Sequence, residues 1–141
     1  MPGCEAPVGP GSVAVRNDVA HAHLSGLLDT FQAYFDGINF GRHRLAYQQL
    51  SPDQRAEISF PNFRQGLLTS YDFDVSIRSI DEVDATHDEV LVTFWSVQEP
   101  EFGPDGQTCT RWTLDYSMVY DGERWLIEDA QEHGSVGSIA C

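Results

Sequence analysis

The chain has 141 residues, 41% of them hydrophobic, and a formal net charge of −14 at pH 7. This length and apolar content predict one folded domain with a single core of ordinary size. Nucleic acids and anionic membranes need a basic surface on their partners, so the charge argues against both. No apolar run approaches the roughly 20 residues that a membrane-spanning helix requires.

The N-terminal half of the sequence predicts a tail followed by helices. Residues 1–17 hold three prolines and three glycines, a composition typical of a flexible tail or linker. Asp18 is expected to cap the first helix. Apolar residues then recur at spacings of three and four: Leu24, Leu27, Leu28, Phe31, Tyr34, Phe35 and Ile38. Two shorter helices are expected at about 42–50 and 52–58.

The C-terminal half predicts strands. Runs rich in β-branched and aromatic residues lie at about 71–80, 89–98, 108–120 and 124–130. Asp121-Gly122 favours a tight hairpin between the last two runs. Helices followed by an antiparallel meander predict an α+β fold with the helices on one face of the sheet. The predicted domain spans residues 18–133, and residues 134–141 are expected to form a C-terminal tail.

The last predicted hairpin indicates which side chains face inward. A two-residue turn pairs Met118 with Trp125, Tyr116 with Ile127 and Leu114 with Asp129, and any even loop keeps that parity. Asp129 then points toward an aromatic interior. Two interpretations are open: Asp129 is a base or ligand anchor near the Tyr116 hydroxyl, or the strand frays there and Asp129 lies at a solvated rim.

The same parity places three charged residues, Arg111, Asp115 and Glu128, on the outer face, where they cannot form a catalytic trio. A set of aromatic residues either lines a small cavity or forms plain core: Tyr34, Tyr47, Phe94, Trp95, Trp112 and Tyr116. His43 lies one helical turn before Tyr47 and is a candidate for proton transfer at a pocket mouth.

No metal site is predicted. His21 and His23 precede the apolar stripe of the first helix and are expected to be exposed. The sequence has no CxxC motif and no paired Cys/His spacing. Phosphate-binding glycine loops are absent as well, so no cofactor is expected.

Three cysteines leave one unpaired in any intramolecular scheme. The chain after the last hairpin could bring Cys141 back to Cys109, and that disulfide would imply an oxidising compartment. Pairing of Cys4 with either of the others stays open. Residues 1–7 lack the features of a signal peptide. Taken by itself, the sequence therefore predicts a cytoplasmic protein. An export signal upstream of residue 1 would instead make the protein extracytoplasmic.

The order of these elements resembles the nuclear transport factor 2-like superfamily, with its SnoaL-like polyketide-cyclase and ketosteroid-isomerase branches. The resemblance covers about residues 20–132 and rests on segments 24–40, 46–52 and 112–127. The chain looks most similar to an actinobacterial branch of this superfamily, whose members are often extracytoplasmic. In that branch a cysteine and a tryptophan enter the penultimate strand, as Cys109 and Trp112 do here. The resemblance implies a cone-shaped fold whose curved, mostly antiparallel sheet holds the N-terminal helices in its concavity, encloses an apolar pocket and dimerises through its outer face.

We therefore expect a non-enzymatic domain that binds a small apolar or aromatic ligand, or a protein partner, outside the cytoplasm or at the cell envelope. The expected ligand-binding residues are Tyr34, Tyr47, Trp95, Trp112, Tyr116 and Asp129. The alternative is a small-molecule enzyme of the polyketide-cyclase or isomerase type, with Asp129 or His43 as base and Tyr116 as hydrogen-bond donor.

Overall fold

The computed structural model describes residues 12–141 and has an α+β architecture, as the sequence predicts. The helices are α1 (Leu24–Asn39), α2 (His43–Tyr47), α3 (Pro52–Glu57) and α4 (Phe60–Gly66). The strands are β1 (Ala14–Val15), β2 (Tyr71–Asp84), β3 (His87–Val97), β4 (Cys109–Tyr120), β5 (Trp125–Glu132) and β6 (Ser138–Ala140). Within the described residues, no helix is both long and apolar enough to cross a membrane.

The six strands form one mixed sheet. Strands β2 to β5 pair in order as an antiparallel meander, and β1 adds to β2 in parallel. Strand β6 pairs with β4 at Thr110–Trp112, beyond the stretch of β4 that β5 covers. The two predicted tails thus each contribute a short strand to the sheet, while residues 1–11 lie outside the described part of the chain.

Helix α1 covers one face of the sheet with the apolar stripe that its sequence predicts. Leu27, Phe31 and Phe35 are almost fully buried. The Phe31 ring packs edge-on against Tyr116, with 5.1 Å between ring centroids, and the Phe35 ring packs in the same way on Phe94 at 5.0 Å. Burial of these large side chains is the main stabilisation of the domain, at about 1.5–3 kcal/mol for each.

The start of α1 differs from the prediction that Asp18 caps it. The helix begins after His23, which makes no side-chain capping bond. Asp18 instead pairs with Arg16 at 2.7 Å. The reason is that residues 19–23 intervene between Asp18 and the helix. At the other end of the helix, α2 approaches α1 so closely at Gly37 that a Cβ there would overlap the backbone of Ala46.

The last hairpin has a four-residue loop, so the three predicted residue pairs are wrong. Tyr120 faces Trp125, and Met118 faces Ile127. The loop is even, so Trp125 and Ile127 still point inward, and both are buried. A bulge at Glu128 then shifts the register, because Ser117 faces Asp129 and Tyr116 faces Ala130. Beyond Ile127 the parity argument no longer holds.

Candidate functional site

A β-bulge in β2 turns an aspartate toward the helices. Two residues, Asp74 and Val75, lie opposite the single Phe94 of β3, because the register steps from Phe73 to Ser76 there. Asp74 takes up the extra residue in a left-handed conformation, with φ of 52°. Asparagine and aspartate are the non-glycine residues that tolerate this conformation best. Asp72 consequently shares the buried face with Val75 and is only 4% exposed.

Asp72 borders a cleft with a volume of about 490 Å³. This volume is in the range of small-molecule sites. Six aromatic side chains line its walls: Tyr34 and Phe35 of α1, Phe94 of β3, Trp112 and Tyr116 of β4, and Phe102 of the β3–β4 connection. The cleft is therefore a largely apolar space whose wall carries the buried carboxylate of Asp72 and, at the β3–β4 connection, the exposed Glu101.

The backbone of Asp72 is held firmly by Asn39, whereas its carboxylate is not. The Asp72 N–H donates to Oδ1 of Asn39, and its carbonyl accepts from Nδ2 of Asn39, both at 2.7 Å. No group among residues 12–141 donates a hydrogen bond to the carboxylate oxygens. Burial raises the pKa of Asp72 to about 7. Near neutral pH the group can therefore accept a hydrogen bond or exchange a proton.

Two tyrosine hydroxyls share this environment. Burial is the main cause that raises the pKa of Tyr34 above its usual range, and the negative charge of Asp72 adds to it. Burial also raises the pKa of Tyr116, with smaller contributions from Tyr34 and Asp72. Both hydroxyls therefore remain protonated at physiological pH and can donate hydrogen bonds into the cleft.

A hydrogen-bond network fixes the wall beside Asp72. Ser96, which faces Asp72 across the sheet, accepts from Nε1 of Trp112 at 2.8 Å and donates to Oε1 of Gln98 at 2.6 Å. Nε2 of Gln98 donates to the carbonyl of Gln107 at 2.8 Å. The tight turn that presents Gln107 requires Gly103, because a Cβ there would overlap the Gln107 carbonyl. Because Ser96 and Gln98 each donate one hydrogen bond and accept another, the Trp112 N–H has a fixed acceptor, which holds the ring in one orientation.

Three of the predicted ligand-binding residues line the cleft, and three do not. Tyr34, Trp112 and Tyr116 lie on its walls. Asp129 lies instead in an adjoining cleft of about 300 Å³, which shares Tyr34 and Tyr116 with the first. Asp129 is partly exposed and accepts a hydrogen bond from Gln131 at 3.0 Å, because the bulge at Glu128 turns it away from the Tyr116 row.

Tyr47 and Trp95 lie away from the cleft. The Tyr47 hydroxyl donates to the carbonyl of Ile58 at 2.8 Å, so this ring packs among the short helices. Trp95 faces Arg111, whose guanidinium carbon lies 4.9 Å from the ring centroid on the other side of the sheet. His43 is buried outside the cleft, and its Nε2 has no hydrogen-bond partner among the described residues. The catalytic roles of Asp129, Tyr116 and His43 stay predictions.

Sequence reasoning missed Asp72. Simple alternation places Asp72 with Asp74 and Arg78 on the outer face, and only the bulge reverses this. The available signal is the Asp72-Phe73-Asp74 segment at the start of the strand, since aspartate is disfavoured inside strands and tolerated at bulges.

The predicted disulfide between Cys109 and Cys141 is confirmed, with 5.3 Å between the two Cα atoms. The Cys141 N–H also donates to the Cys109 carbonyl at 3.1 Å. Together these contacts hold β6 against the first residues of β4. Cys4 lies outside the described residues.

The fold and the cleft define an α+β protein with an aromatic, carboxylate-bearing cavity. No protein-family model and no curated protein sequence matches the chain. Among solved structures, the chain is similar to the solution structure of a SEC-C motif containing protein from Rhodopseudomonas palustris, with a TM-score of 0.60 and 9% sequence identity. The match covers 76% of this chain and 78% of that protein. At this identity the likeness shows the fold alone.

The assignment to the nuclear transport factor 2-like superfamily, with its SnoaL-like and actinobacterial branches, is wrong, because the structural match is to a SEC-C motif protein. The segments behind that assignment are an amphipathic helix, a short helix and an Asp-Gly hairpin. Such segments follow from patterning and turn chemistry that many α+β domains share. They predict the order of elements, which is confirmed, but do not discriminate between families.

Proposed function

We propose that this domain binds a small organic molecule in the aromatic cleft, and that the ligand carries a protonated amine that meets the Asp72 carboxylate. The observation that carries the proposal is a carboxylate that is buried on an aromatic wall without a hydrogen-bond donor from the described residues. Desolvation of a carboxylate is costly, and a ligand cation supplies a donor and a compensating charge.

The aromatic walls suit the same class of ligand. Rings such as Trp112 and Phe94 attract a cation to their faces and offer apolar contact to the rest of the molecule. The tyrosine hydroxyls of Tyr34 and Tyr116 add donors for a neutral polar group on the ligand. The net charge of −14 favours the approach of cations over anions.

We also infer that the sheet curves around α1, which keeps the cleft open between helix and sheet. Strand β2 has three register irregularities against β3, and bulges increase the local twist and bend of a strand. This proposed curvature concerns the shape of the sheet and implies no family.

The amine proposal can be tested with matched probes. Phenethylamine, phenethyl alcohol and phenylacetate are titrated at pH 8 while the intrinsic tryptophan fluorescence, to which Trp112 in the cleft contributes, is followed. We expect saturable binding of the amine, weaker binding of the alcohol and none of the acid. In the Asp72→Asn variant, the affinity for the amine should fall about 10- to 100-fold, since a hydrogen bond to a charged group contributes about 1.5–3 kcal/mol.

The Asp74→Asn variant is the matched control, because Asp74 is on the same strand but exposed. Its affinity for the amine should equal that of the wild type. Equal affinity of the amine for the wild type and the Asp72→Asn variant, or no saturable signal with any probe, would contradict the proposal.

A second candidate function is proton transfer on a bound small molecule. The observation that favours it is the Asp72 pKa of about 7, which suits a general acid or base at neutral pH. The test is exchange of the α-hydrogens of an aromatic ketone for deuterium in D₂O, followed by NMR. If the wild type catalyses this exchange and the Asp72→Asn variant does not, the result would favour an enzyme over a binding domain.

We propose an extracytoplasmic or envelope location because the chain joins Cys109 and Cys141, and disulfides persist in oxidising compartments. A homodimer through the outer face of the sheet stays a prediction.

A further inference from the structure

We propose that a second site, at the opposite end of the buried sheet face, binds one Zn²⁺ ion. Four side chains converge there: His21, His23, Glu82 and Asp88. One ligand atom from each lies within 4.8 Å of the ligand atoms of the others. Imidazole nitrogen and carboxylate oxygen are donors that Zn²⁺ accepts in four-coordinate sites.

The topology brings these residues together from distant parts of the chain. Glu82 and Asp88 face each other across the β2–β3 hairpin, at its turn end. The two histidines precede α1, and α1 crosses the face of the sheet so that its first turn meets this hairpin. Nδ1 of His23 lies 2.7 Å from Oδ2 of Asp88, and Nε2 of His21 lies 3.1 Å from Oε1 of Glu82.

Asp88 supplies the second, independent observation. Its side chain is fully buried, and its Oδ1 atom has no hydrogen-bond partner among the described residues. A buried carboxylate oxygen without a donor is rare in native proteins and calls for an ion, a water molecule or another group. A metal ion between Asp88 and His23 would satisfy this oxygen and the charge together.

The two halves of the cluster should contribute unequally. His23 and Asp88 form the inner half, and the His23 ring is also packed 4.8 Å from the Trp125 ring. The backbone N–H of His23 donates to Nδ1 of His21 at 3.0 Å, so Nδ1 is unprotonated and Nε2 carries the proton. Coordination of a metal by Nε2 moves the proton to Nδ1, and the ring then loses this hydrogen bond. In a tetrahedral site with bonds of about 2.1 Å the ligand atoms stand roughly 3.4 Å apart. The two short pairs, at 2.7 and 3.1 Å, must therefore open slightly, and separations of up to 4.8 Å must close.

This site is separate from the aromatic cleft. Asp88 and Ser96 lie eight residues apart on β3, which corresponds to about 27 Å at about 3.4 Å per residue. None of the four cluster residues borders that cleft. A variant that no longer binds zinc can therefore still be tested for binding of an amine in the cleft, and the reverse holds as well.

The experiment is isothermal titration of the metal-free, disulfide-bonded chain with ZnCl₂. All variants carry Cys4→Ser so that a thiol does not compete for the metal. We expect one Zn²⁺ ion per chain. The His23→Ala and Glu82→Gln variants should each bind at least about 10-fold more weakly, since even partners that only orient a metal ligand contribute that much. Because Glu82 is exposed, its variant should fold normally.

The matched control is His133→Ala, which removes an exposed histidine 2.7 Å from Asp115, a pair without further ligands. Its zinc affinity should equal that of the Cys4→Ser parent. The proposal is wrong if the parent binds no stoichiometric zinc, or if the His23→Ala and Glu82→Gln variants bind as tightly as His133→Ala. Titration with MgCl₂ should give no binding, because Mg²⁺ prefers oxygen ligands only.

Discussion

Replacing Asp72 by asparagine should stabilise the protein increasingly as the pH rises from about 4 to about 7. Burial raises the pKa of Asp72 from 3.8 to about 7. The folded state therefore holds this proton more tightly than the unfolded state, and the stability of the wild type falls as the pH rises from about 4 to about 7. The difference in pKa corresponds to about 4 kcal/mol, since a tenfold change in proton affinity equals about 1.4 kcal/mol. Asparagine has no charge to desolvate, so the variant escapes this loss.

The assay is urea unfolding followed by tryptophan fluorescence, from pH 4 to pH 8.5, with the disulfide intact. The gain in unfolding free energy from Asp72→Asn over the wild type should be near zero at pH 4 and reach about 4 kcal/mol above pH 7. The exposed control Asp74→Asn should stay within about 0.5 kcal/mol of the wild type throughout. A gain that does not change with pH would contradict this prediction, because it would mean that Asp72 is not desolvated in the folded state.

Three further predictions concern the fold. Removing the disulfide with Cys109→Ser and Cys141→Ser should cost about 4 kcal/mol in urea unfolding, from the entropy of a loop that spans 32 residues; an unchanged midpoint would contradict this. Gly37→Ala should destabilise by about 1–3 kcal/mol because its Cβ overlaps α2, whereas Gly66→Ala, which meets open space, should lower the melting temperature little or not at all. Asp121→Ala should be less stable than the wild type at pH 7, because turn N–H groups lower the pKa of Asp121; the difference should fade as the pH falls through that lowered pKa.

The order of elements follows from the sequence because it depends on local patterns. The apolar spacing of α1, the strand runs and the Asp121-Gly122 turn are all written in short segments of chain. The Cys109–Cys141 disulfide was also accessible, since the hairpin carries the chain back toward the start of β4. Family membership was not accessible, because these local patterns recur in many α+β domains.

The candidate site depends on two bulges that local patterns do not show. The bulge at Asp74 turns Asp72 inward, and the bulge at Glu128 turns Asp129 away from the Tyr116 row. A single extra residue reverses the facing of every residue beyond it. Simple alternation therefore predicts a buried carboxylate at Asp129 in β5, whereas the structure buries Asp72 in β2.

The cluster that we propose as a zinc site was not predicted from the sequence, for a different reason. His21 and His23 are close in sequence, but their carboxylate partners lie on a hairpin about sixty residues further along the chain. Such long-range proximity is decided by how α1 crosses the sheet. The two histidines, predicted to be exposed, are in fact partly buried.

The most direct test of the central claim is the pKa of Asp72, measured from the ¹³Cγ chemical shift of labelled aspartate with and without phenethylamine. We predict a pKa of about 7 for Asp72 in the free protein. The bound amine should lower this pKa, because a nearby cation favours the charged carboxylate. A pKa near the ordinary 3.8 in the free protein, or a raised pKa that the amine leaves unchanged, would contradict the proposal that Asp72 anchors a ligand.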